Sequence, residues 1–87
     1  MSRKWPTMPA NLDAVRYVLD NRAARVLLWE SAGADHAGIL LDVQTANMLI
    51  TVHAAMSDDQ KAKVETMIAE SPARFVRVVD ACWKAVR

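Results

Sequence analysis

Cysteine is almost missing from this 87-residue chain. Cys82 stands alone, which excludes an internal disulfide and leaves any zinc site without a thiolate set. Glycine is nearly as scarce. With only Gly33 and Gly38 there is no glycine-rich loop to cradle a phosphate. No glycine marks a helix-turn-helix corner, and no serine is paired in sequence with a base. A surplus of one charge sign is also lacking. The net charge of +1 removes the strong electrostatic case for nucleic acid and argues against a charged disordered tail. Apolar runs are short. Gly38 to Leu41 falls far below the ~20 residues that cross a bilayer. No secretory apolar segment follows Met1, which together with the lone thiol points to a cytoplasmic protein.

Apolar residues, by contrast, are plentiful: 53% of the chain, with three tryptophans and five methionines. The length suits one domain, and a domain this small buries roughly 60–65% of its unfolded surface. Some of the apolar surface must therefore stay exposed or be covered by a partner.

Residues 1–9 (MSRKWPTMP) carry two prolines and no periodicity, and read as an extended N-terminal arm ahead of a single domain over 10–87. Asn11 is a good N-cap for a first helix, with Asp13 in its first turn. Leu12, Val15, Val18 and Leu19 recur at helical spacing, and Ala23, Val26 and Trp29 extend the pattern. One long helix to about Ser31, closed by Gly33, is the preferred reading. Arg22 falls inside the apolar stripe of such a helix, so a break near Asp20-Asn21 is weighed beside it. The alternative is an α+β fold, with a small hairpin pairing residues 25–30 with 38–43. Asp42 then caps a helix over 43–56. Ser57 with Gln60 makes a capping box for a helix over 58–70, and Ser71-Pro72 opens a last helix running to near the end. The expected fold is all-α: a compact four-helix domain whose long first helix is either continuous or broken near Asp20-Asn21.

Chemistry-bearing clusters are thin. His53 sits on the apolar face of the second predicted helix, as an interface or core imidazole. Its nearest soft companions, His36 and Cys82, match no ligand spacing, so no metal and no cofactor are expected. Asp58 and Asp59 point about 100° apart on a helix and are explained as first-turn acids. Phe75, Val76, Val79, Cys82, Trp83 and Val86 make the last helix the most hydrophobic, with Val78 at the edge of its apolar face. Arg74, Arg77, Lys84 and Arg87 lie on its other side, where Arg3 and Lys4 of the arm can join them as a modest basic patch. Asp80 interrupts that patch, and no aromatic is interleaved for base stacking. Trp5, Trp29 and Trp83 exceed what so small a core readily hides, and with His53 they are the expected interaction residues.

The stretch from Asp42 to Lys84 (DVQTANMLITVHAAMSDDQKAKVETM, then RFVRVVDACWK) resembles the short helical proteins carried by bacterial plasmids and phages. That resemblance names no family and carries over no active residue. It implies an accessory protein that acts by binding, such as an inhibitor or modulator of a host system. The sequence thus points to a small non-enzymatic interaction protein, self-associating or docking on a protein partner. The alternative is a nucleic-acid-binding accessory protein that uses the basic face of its last helix. No membrane partner is expected.

Overall fold

The computed structural model describes residues 6–33 and 38–86. Along the chain run β1 (Thr7–Pro9), α1 (Leu12–Asn21), β2 (Arg25–Leu28), a single 3-10 turn (Glu30–Ala32), β3 (Ile39–Leu41), α2 (Val43–Ala54), α3 (Asp58–Glu70) and α4 (Pro72–Ala85). The all-α expectation is overturned. Among the described residues there are four α-helices and a three-stranded mixed sheet, so the fold is α+β and follows the hairpin alternative.

The long first helix fails at Arg22. Asn11 caps α1 as its side chain accepts from the Ala14 amide at 2.8 Å. After ten residues Arg22 turns left-handed (φ 52°, ψ 42°), and the amides of Arg22 and Ala23 close the helix on the carbonyls of Leu19 and Val18. Continuing the helix would have driven the Arg22 guanidinium into the apolar stripe. Ending it there lets Arg25–Leu28 become the central strand of the sheet.

That strand is paired on both edges. It runs parallel to β1, with Met8 opposite Leu27, and antiparallel to β3, with Leu27 opposite Ile39. The parallel pair needs a crossover, which α1 supplies. Pro9 is tolerated because β1 is an edge strand. Ladder bonds continue past β1, from the Val26 amide to the Pro6 carbonyl and from the Ala10 amide to the Leu28 carbonyl, both at 2.9 Å. Gly38 leads into β3 with φ +83°. A Cβ there would lie 2.5 Å from Val26 Cγ1 and 2.7 Å from the Leu27 carbonyl oxygen, so only glycine seats at this position.

The later helices follow their caps. The Asp42 side chain accepts from the Thr45 amide at 2.7 Å and opens α2, which ends at Ala54 rather than running to Met56. Ser57 and Gln60 form a reciprocal capping box for α3. The Ser71 hydroxyl accepts from the Arg74 amide at 3.2 Å, and Pro72 occupies the first position of α4. Helix α1 packs on α2, and α4 packs on both α2 and α3. Val15 and Val18 of α1, Leu27 and Leu41 of the sheet, Ala46 and Leu49 of α2, Ile68 of α3, and Phe75 of α4 meet in one buried core. No described helix is long and apolar enough to cross a membrane.

Candidate interaction surface

The expected interaction residues scatter. Trp29 is buried, at 4% exposure. Its Nε1–H donates to the Ile68 carbonyl at 2.8 Å, and its ring lies 5.4 Å from that of Phe75, inclined at 51°. It therefore clasps the strand-bearing half of the molecule to α3 and α4. His53 is buried as well, with Nε2 3.0 Å from Oε2 of a half-exposed Glu65, which ties α2 to α3. Trp83 is half-buried on α4, against the edge of the core. Trp5 lies outside the described residues, as do Arg3, Lys4, His36 and Arg87.

The basic patch is partly internal in its bonding. Arg74 Nε lies 3.5 Å from Glu70, and Lys84 Nζ lies 3.9 Å from Asp80. Among the described residues Arg77 has no ion-pair partner. Cys82 is buried, and burial pushes its thiol pKa up, which favours the neutral, unreactive form. Asp58 and Asp59 stand exposed in the first turn of α3. No group of three His, Cys, Asp or Glu among the described residues is placed to hold a metal.

Two surfaces of α4 remain, one on each side of its core-facing residues. The first is a ridge of Val76, Val79, Trp83 and Val86, spaced three, four and three residues apart. Val79 and Trp83 lean on the core edge, while Val76 and Val86 at the two ends are 53% and 50% exposed. The second is an apolar cleft of about 190 Å³ between the C-terminal end of α2, α3 and α4. Val52 of α2 and Met56 just beyond it form one side, Val64 and Met67 the α3 side, and Val78, Ala81, Cys82 and Ala85 the α4 side. It stays open because Ala81 and Ala85 present only methyl groups where longer side chains would fill the gap between helices. Arg77 is the one charged residue in its lining.

The ridge was foreshadowed in the sequence. The apolar side of α4 covers Phe75, Val76, Val78, Val79, Cys82, Trp83 and Val86, wider than one core-facing stripe requires. Phe75, Val78 and Cys82 turn inward, which leaves the rest outside. The cleft had no such signal, since it exists only where three helices meet. The chain matches none of the protein-family models, curated proteins or solved structures with which it was compared.

Proposed function

We propose that this chain is a non-enzymatic interaction protein that associates with a second copy of itself through the outer ridge of α4. One observation carries the reading: Val76, Val79, Trp83 and Val86 follow the three-four-three spacing of a two-helix seam, and its two ends are half exposed to water. A narrow seam of this kind is self-complementary when two copies of the helix cross, as a two-fold dimer requires. Trp83 lies near its middle, where a large, half-buried aromatic contributes most to association. The bonding of Arg74 and Lys84 to carboxylates on their own chain also supports a protein contact over a phosphate-binding face.

The test is sedimentation velocity at micromolar concentration. The native chain is expected to sediment as a dimer. Val76→Glu combined with Val86→Glu should yield a monomer with an unchanged far-ultraviolet circular dichroism spectrum, because both sites are exposed and outside the core. A native chain that stays monomeric at tens of micromolar, or a doubly substituted chain that still dimerises, overturns the reading.

A further inference from the structure

The sulfur-bearing side chains are not spread evenly. Met8 and Met48 belong to the core and its edge, whereas Met56, Met67 and Cys82 all line the cleft between α2, α3 and α4. Each comes from a different wall: Met56 from just past α2, Met67 from α3 and Cys82 from α4. No single stretch of sequence carries them, so ligand spacing along the chain gives no sign of the group.

Their chemistry selects what they hold best. Thioether and thiolate sulfur are soft donors that favour copper(I). The described side chains of the lining include no carboxylate, amide, hydroxyl or imidazole. Calcium and magnesium therefore find no oxygen ligand there, and zinc finds neither an imidazole nor a second thiolate. Arg77 stays protonated and cannot ligate. Charge points the same way. A monovalent ion on one thiolate is neutral, whereas a divalent ion leaves a net positive charge among aliphatic side chains, which burial penalises.

The cavity is about 190 Å³, and methionine reaches across it through three rotatable bonds. The sulfurs converge on one ion while the helices keep their places. Burial pushes the Cys82 thiol pKa up because an apolar site disfavours a bare thiolate. A bound cation removes that penalty and takes the place of the proton.

We infer that Met56, Met67 and Cys82 form a three-sulfur site for a single copper(I) ion. The ion bonds Sγ of Cys82, the S–H bond breaks, and one proton leaves to solvent with no change in oxidation state. The Sδ atoms of Met56 and Met67 each donate a lone pair and complete three-coordination.

The full chain is titrated anaerobically with copper(I), and with silver(I) as a redox-inert stand-in, and the complexes are counted by native mass spectrometry. One ion per chain is expected with either metal, and excess zinc(II) should displace neither. Cys82→Ala should abolish the complex. Met56→Leu and Met67→Leu keep volume and apolarity, and each should weaken it by about tenfold or more, the cost of losing even a residue that only orients a ligand. Met8→Leu lies outside the cleft and should change nothing. Four results overturn the proposal: no complex with either ion at micromolar concentration, displacement by zinc(II), a loss with Met8→Leu as large as with the cleft methionines, or native affinity in a Met56→Leu, Met67→Leu double variant whose circular dichroism is unchanged.

Discussion

The two halves of the molecule are ordered by different means. From Thr7 to Leu41 the chain is held by long-range pairing. Strand β2 bonds to β1 across α1 and to β3 across a ten-residue connection, and all three described residues with left-handed backbone (Arg22, Gly33 and Gly38) lie here. From Asp42 onward order is local. Each helix begins at a side chain that accepts from an amide three residues ahead, and the connections between helices are only a few residues long. Local order tolerates the loss of any one contact, because the rest of a helix persists without it. Paired order does not, because a strand without its partner has no structure of its own. The first half should therefore be the more brittle.

The largest effect is expected where the halves are joined. Trp29 follows β2 directly, yet its indole N–H bonds the backbone of α3 and its ring packs on Phe75 of α4. Trp29→Ala removes a buried aromatic and leaves the Ile68 carbonyl without its donor. The loss should be about 3–5 kcal/mol, a large part of the stability of so small a domain. Urea unfolding followed by circular dichroism measures it. A loss below about 2 kcal/mol would mean that the halves are held together elsewhere.

Brittleness within the first half is tested by its two glycines, which share nearly the same φ (+83° at Gly38, +81° at Gly33) but not the same surroundings. A Cβ at Gly38 runs into the side chains of Val26 and Leu28 and the backbone of Leu27, whereas at Gly33 nothing lies within 4 Å. Gly33→Ala carries the conformational cost alone, about 1–2 kcal/mol. Gly38→Ala adds displacement of the central strand, for roughly 2–4 kcal/mol in all. Equal losses at the two sites would show that the hairpin yields freely and that pairing there is weaker than its register implies.

The same division decides what could be read without coordinates. Ser57 with Gln60, Ser71 with Pro72, and Asp42 each announce a helix start within four residues, and the helices begin where those residues place them. The segment Arg25–Leu28 carries no such mark. A short, mostly apolar run suits a buried strand and a buried helix equally, and its partners lie nineteen residues before it and about fourteen after. The discordant Arg22 was the one local clue, and it marks the point where α1 stops. At the surface, the excess apolar width of α4 was visible as composition, but which residues turn outward depended on how α2 and α3 pack against it. Trp29 was singled out for residue type and His53 for its place on the apolar face of α2, and both lie inside. The cleft left no trace in any single helix.

The smallest effect belongs to the junction of the halves at Asp42, where local order takes over. Its carboxylate is held below the usual pKa near 3.8, first by the side-chain hydrogen bond with Thr45 and then by the Thr45 amide. A depressed folded pKa means that the charged form contributes stability above the ordinary value and loses it as pH falls through the folded one. Asp42→Ala should therefore cost about 1 kcal/mol at pH 7, the usual worth of an N-cap. The gap between the substituted and native chains should narrow below about pH 4. Asp42→Asn keeps an acceptor at the cap without the charge, so it should stay within a few tenths of a kcal/mol of native at pH 7 and, having nothing to protonate, should equal or exceed native below about pH 4. If Asp42→Ala instead cost as much as Gly38→Ala, α2 would depend on its first turn as heavily as the sheet depends on its hairpin, and the contrast between local and paired order would not hold.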